Sequence, residues 1–124
     1  MFMHRSALPV RVLLLALVLL LGACGKPKEA ALPSGTRVLA LGDSLTAPHG
    51  VTPEQAWPTL LAKKTGWAVV NAGVSGDTSA GALQRLPGLI EEHNPQLVLV
   101  TLGGNDMLRR LPQGQTTANL GRML

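Results

Sequence analysis

Arg37-Val38-Leu39-Ala40-Leu41-Gly42-Asp43-Ser44-Leu45-Thr46 is a short apolar run that ends in a glycine and a polar loop. A strand covered on both faces reads as a near-continuous hydrophobic stretch, and Arg37 to Leu41 has that form. The same pattern returns twice downstream, at Trp67 to Val70 and at Gln96 to Leu102, each time with a glycine soon after. Longer amphipathic stretches separate these runs. Strands alternating with helices at this spacing mark βαβ units around a parallel sheet, so the expected fold class is α/β.

The intervening stretches carry helix signals. Thr52-Pro53-Glu54-Gln55 predicts a helix start, with Thr52 as N-cap, Pro53 at the first helical position and Gln55 placed for a capping box. Trp57, Leu60 and Leu61 would form its buried stripe, with Pro58 in the first turn or so, Lys63 and Lys64 near the end and Gly66 as the stop. In the second helix Asp77 or Thr78 supplies the cap, and Leu83, Leu86, Leu89 and Ile90 recur at helical spacing. Pro87-Gly88 predicts a kink there, and Asn94-Pro95 closes the segment. A last helix is expected around Thr116-Thr117, with Leu120, Met123 and Leu124 on one side. That pattern stops without a C-cap, which predicts that the C-terminal part of the fold is missing.

Upstream of Thr36 the chain reads as an address. Met1 to Arg11 is basic, and Val12 to Leu21 has no polar side chain before Gly22-Ala23. A membrane span needs about 20 apolar residues, so this shorter run reads as a signal peptide over residues 1–23. Cys24 is the only cysteine. Leu21-Gly22-Ala23-Cys24 resembles the lipobox of bacterial lipoproteins, which implies lipidation at Cys24; an ordinary secretory signal followed by a free thiol is the alternative. Residues 24–35 then form a polar, proline-bounded tether, and 36–124 the N-terminal part of the folded domain. Gly25 after the cysteine, by resemblance to enterobacterial lipoproteins, favours the outer membrane.

Net charge argues against nucleic acid as a partner. Of the formal +4, two charges are Arg5 and Arg11 of the leader. The other basic residues are scattered, Lys63-Lys64 and Arg109-Arg110 being the adjacent pairs, and aromatic side chains on which bases could stack amount to 2% of the chain.

In open parallel sheets the reactive groups gather beyond the carboxyl ends of the strands. Three loops there carry the unusual residues: Gly42-Asp43-Ser44-Leu45-Thr46, Asn71-Ala72-Gly73-Val74-Ser75-Gly76-Asp77-Thr78, and Gly103-Gly104-Asn105-Asp106. They recur about once per βαβ unit and should converge. Convergence suits acyl transfer, which needs a nucleophile beside preorganised donors for a developing oxyanion. Ser44 supplies a hydroxyl just past a glycine turn, Gly73 an unshielded backbone N–H, and Asn105 an uncharged side-chain NH2.

These blocks, in this order, resemble the GDSL or SGNH hydrolases, and most closely the bacterial arylesterase, acyl-CoA thioesterase I and lysophospholipase subgroup. Ala56-Trp57-Pro58, Ser75-Gly76-Asp77-Thr78 and Arg85-Leu86-Pro87 follow that subgroup's pattern as well, so the likeness covers Thr36 to Leu124. It implies a flavodoxin-like, three-layer SGNH fold and a hydrolase for small-molecule carboxylic esters or thioesters. It assigns Ser44 as nucleophile and the Ser44 N–H, Gly73 N–H and Asn105 side chain as the oxyanion hole. No metal or organic cofactor is implied. The family's Asp-x-x-His block, source of the base and its orienting acid, has no counterpart among these residues. His4 belongs to the leader, and neither His49 nor His93 is assigned the role.

Other readings compete locally. Ser44 alone would pass for a helix cap. Asp43, Asp77 and Asp106 suit loop bracing better than acid catalysis. Ser75 lacks the final glycine of a Gly-x-Ser-x-Gly elbow. A nucleotide site would need Gly-x-Gly-x-x-Gly or a Walker loop, and neither is present. The alternative from another class is a lipid-anchored binding protein or inactive fragment that retains the fold without catalysis.

Overall fold

A computed structural model of the chain describes residues 30–124. The leader over 1–23, Cys24 and the first part of the tether lie outside the described residues. From Leu32 onward the elements are β1 (Arg37–Gly42), α1 (Trp57–Thr65), β2 (Ala68–Gly73), α2 (Ser79–His93), β3 (Leu97–Thr101), α3 (Gly104–Leu108) and α4 (Gln113–Gly121). The strands form one parallel sheet in the order β2-β1-β3, an α/β fold as expected.

The central position of β1 follows from its composition. Val38 to Leu41 are all buried. Successive side chains of a strand point to opposite faces, so both faces of β1 are covered. On one face Leu39 and Leu41 pack with Ala72, and with Ala82 and Leu86 of α2. Each fully buried leucine stabilises the fold by about 2 kcal/mol relative to an exposed one. Val70, Leu89, Val98, Leu102 and Met123 close around that cluster.

Several boundaries differ from expectation. Helix α1 begins at Trp57, with Ala56 as N-cap, and not at Thr52-Pro53. A helix started at Pro53 would carry Pro58 into its interior, where the ring clashes with the preceding turn and the missing N–H breaks the ladder. Starting at Trp57 leaves Pro58 in the first turn, where it is buried. The capping-box glutamine still acts: Gln55 Oε1 accepts from the Thr52 N–H at 3.1 Å, but across a turn. Leu60 of the expected stripe is 51% exposed. Gly66 ends α1 in the left-handed region, as expected.

Strand β2 runs on through Asn71-Ala72-Gly73, which read as loop, because β1 offers it partners as far as Gly42. Thr78 is the cap of α2, its side chain accepting from the Gly81 N–H, and the helix continues through Pro87 to His93. Ile90, expected in the buried stripe, is exposed. The Gly103-Gly104 pair, read as pure loop, opens the short helix α3. Helix α4 starts at Gln113 directly after Pro112, earlier than Thr116-Thr117. Leu124 is fully exposed.

Candidate active site

Gly42 is in register with Gly73 on one side and Thr101 on the other, so the three βα loops leave one edge of the sheet together. In the first loop the buried Asp43 builds a tight turn. Its main-chain oxygen accepts from the Thr46 and Ala47 N–H groups at 3.0 and 2.9 Å, and its Oδ1 accepts from the Leu45 N–H at 2.9 Å. Ser44 is half-buried at the head of this turn. Among the described residues, neither its N–H nor its hydroxyl makes a hydrogen bond. The third loop packs against the first: a Cβ on Gly104 would lie 3.8 Å from Asp43 Oδ2.

The second loop requires a correction. Gly73, expected as an oxyanion donor, is the last residue of β2, and its N–H donates to Asn71 Oδ1 at 2.9 Å. Its α-carbon is pressed against the first loop, where a Cβ would run into the Ala47 amide nitrogen and come within 2.7 Å of the Thr46 carbonyl carbon. Asn71 completes this joint by donating from Nδ2 to Thr46 O at 2.9 Å. Gly73 is therefore a packing glycine whose donor is already used. Of the amides in this loop, those of Ser75 and Gly76 are without a partner among the described residues, and Gly76 has φ +79°. Sequence reasoning passed over it. The available signal was the length of β1: a partner pairing as far as Gly42 carries β2 to residue 73 and moves the true loop to Val74 to Thr78.

Asn105 lies in the first turn of α3, and its Nδ2 donates to Asp77 O at 2.8 Å. Its second N–H is uncommitted among the described residues. Asp77 in turn accepts from Arg85 Nε at 2.9 Å, and Arg85 also donates to Gly42 O at 3.1 Å. One α2 arginine thus ties the second loop to the strand end that carries Ser44. At the C-terminal end of α3, Arg109 donates to Gly76 O at 2.7 Å.

Asp106, beside Asn105, turns into the protein. Its Oδ2 accepts from the Ser79 N–H at 2.8 Å, and its Oδ1 from the Ser79 and Thr116 hydroxyls at 2.5 and 3.2 Å. Asn119 donates to Ser79 Oγ at 3.0 Å. Burial pushes the Asp106 carboxyl upward, but the hydrogen bonds from Ser79 and Thr116 outweigh it and hold the pKa below the ordinary aspartate value. Asp43, Asp77 and Asp106 all brace loops or helix ends.

His49 is exposed in the loop after Ser44, and His93 ends α2 beside Glu92, 3.7 Å away. Neither makes a hydrogen bond to Ser44 among the described residues. Among the described residues no three His, Cys, Asp or Glu side chains gather as a metal-binding group.

A serine-bearing turn, a glycine loop and an asparagine helix start on one sheet edge are the arrangement that the sequence blocks imply. The GDSL-like Lipase/Acylhydrolase family matches residues 40–124. The chain belongs to this family. Among GDSL proteins it is 38% identical over 120 residues to an arylesterase of Vibrio mimicus, across 93% of this chain and 56% of that protein. It is 48% identical over 91 residues to the thioesterase 1/protease 1/lysophospholipase L1 of Escherichia coli K12, across 70% of this chain and 43% of that one. A crystal structure of an SGNH-hydrolase family esterase matches with TM-score 0.67 at 35% identity, over 75% of this chain and 53% of that chain. The chain spans about half the length of the GDSL relatives it matches.

Proposed function

We propose that the protein is a serine hydrolase that cleaves small-molecule carboxylic esters or thioesters through an acyl-enzyme, with Ser44 as nucleophile. One observation carries this reading: the Ser44 turn, with its amide and hydroxyl both unspent, shares a sheet edge with Asn105, whose amide has spent one N–H on Asp77 O and kept the other. In that reaction Ser44 Oγ attacks the acyl carbon and the carbonyl π pair moves onto oxygen. The developing oxyanion is held by the Ser44 N–H, the free Asn105 N–H and the Gly76 N–H. Collapse expels the alcohol or thiol with a proton, leaving an ester on Ser44 that water then hydrolyses. Gly76 replaces Gly73 here because, of the two glycines, it is the one whose amide is uncommitted. The base that takes the Ser44 proton is, by the family's pattern, the histidine of an Asp-x-x-His block, and no residue of 36–124 is given that role.

The test is turnover of a p-nitrophenyl ester by the intact protein. Ser44→Ala is expected to abolish it, and Asn105→Ala to lower kcat by roughly 10²- to 10³-fold. Wild-type turnover by Ser44→Ala would remove the reading.

We further propose that the protein is exported and anchored to a bacterial membrane, the outer membrane being favoured, through a lipid on Cys24. The Leu-Gly-Ala-Cys stretch and the polar tether support this. Mass spectrometry of detergent-extracted protein should find a mature N-terminus at a diacylated Cys24; an unmodified Cys24 would count against it.

A further inference from the structure

Arg109 has no acidic partner among the described ion pairs, yet its guanidinium makes a 2.7 Å bond to one backbone carbonyl, that of Gly76. Gly76 is the residue whose amide the proposed oxyanion pocket uses. It has φ +79°, and the nearest neighbour to its missing Cβ is Arg109 itself, at 3.4 Å. Arg109 is four residues beyond Asn105, and its N–H donates to Asn105 O at 3.0 Å. That spacing puts both side chains on one face of the α3 turn. From there they reach successive carbonyls of the second loop, Asn105 that of Asp77 and Arg109 that of Gly76.

We propose that Arg109 is a positioning residue of the oxyanion pocket, forming with Asn105 a two-point clamp by which α3 fixes the second loop. The inference rests on the serine hydrolase reading above. The Asn105 bond to Asp77 O and the Arg85 bond to the Asp77 side chain both hold the loop at Asp77, which leaves the Gly76 peptide to pivot about that residue. The Arg109 bond, one peptide earlier, removes that pivot and sets the direction of the Gly76 N–H together with that of the remaining Asn105 N–H. Donors aimed in advance stabilise an oxyanion without reorganising during the reaction, and small misplacements are costly. Asn105 is thus both donor and anchor, whereas Arg109 acts only through the loop and touches neither substrate nor nucleophile.

The test is a kinetic cycle in the intact protein with a short-chain p-nitrophenyl ester. Arg109→Ala is expected to lower kcat roughly tenfold with KM changed by less than about twofold. Arg109→Lys, which keeps a cationic donor, should recover most of the loss. On an Asn105→Ala background the same Arg109→Ala change should cost less than about twofold, because the clamp is already open. A full loss on that background, a change confined to KM, or an unchanged kcat would overturn the clamp. Should Arg109→Ala lose its cooperative melt, Arg109→Met, which keeps the apolar stem without the donor, decides by the same criteria. Ser44→Ala in the same assay separates the two failures. Turnover by that variant sinks the hydrolase reading and the clamp together, while its inactivity beside an unaffected Arg109→Ala sinks the clamp alone.

Discussion

Gly73 and Gly76 stand three residues apart and are glycines for different reasons. Gly73 has no room for a side chain, because the Thr46–Ala47 backbone lies against its α-carbon. Gly76 has room but holds φ +79°, which costs an L residue roughly 1–2 kcal/mol. Gly76→Ala is therefore expected to fold, with a melting temperature lowered by about 4–16 °C for a domain of this size, and to lose kcat as its amide turns. Gly73→Ala should fail to yield a cooperatively melting protein, since the obstruction is main chain that cannot step aside. Thermal melts of the two variants check this, and a Gly73→Ala protein as stable as wild type would overturn the packing role. Ser44 and Asn105, as members of the proposed site, were legible from sequence because each sits in a block with a recognisable order. The proposed donor in the second loop was not: choosing between two glycines depends on where β2 ends, and that is decided by pairing with β1, a contact between residues about 30 positions apart.

Element α3 is where local reading failed most, since a five-residue helix with Gly103 as its cap and Gly104 as its first residue has no propensity signal to speak of. Tertiary bonds hold it instead. Asp106 reaches across to the start of α2 at Ser79 and to Thr116 of α4, so one carboxylate docks three helices. Asp106→Asn leaves one of these donors unmatched in a buried site and should cost about 2 kcal/mol. The pH dependence has a definite sign. Because the folded pKa is held below the unfolded value, the stabilisation is fully present above about pH 3.9 and is lost as pH falls through the folded pKa. Urea midpoints followed from pH 5 downward should fall more steeply for wild type than for Asp106→Asn; parallel curves would show that Asp106 is not the titrating brace. The Thr52 cap failed for the converse reason. Its local signal was sound, as the Gln55 bond shows, but Pro58 six residues on made a continuous helix impossible.

Across the whole described unit the apolar surface is unevenly covered. β1 is sealed on both faces, while β3, which pairs with β1 on one edge, has no strand partner on the other among the described residues. Val100 on β3 is 40% exposed, and with Leu102, Leu120, Met123 and Leu124 it lines an open apolar cavity. An unpaired parallel edge beside an apolar groove is a template for another chain, because both its hydrogen-bonding groups and its hydrophobic surface are unsatisfied. That the core of the sheet was readable and its boundary was not has the same origin. A hydrophobic run announces a strand, but whether its outer face meets protein or water is settled by residues elsewhere. A polypeptide of residues 30–124, expressed alone, is therefore expected to self-associate at micromolar concentrations and to bind a hydrophobic dye. Val100→Lys should reduce both, since a charge on an exposed edge strand opposes pairing and wets the groove. Sedimentation velocity across a concentration series measures the first effect and dye fluorescence the second. A monomer at all concentrations that ignores the dye would mean that the β3 face is covered from within the chain, and the apolar cavity would then have to be closed in solution by movement of α4 onto Val100.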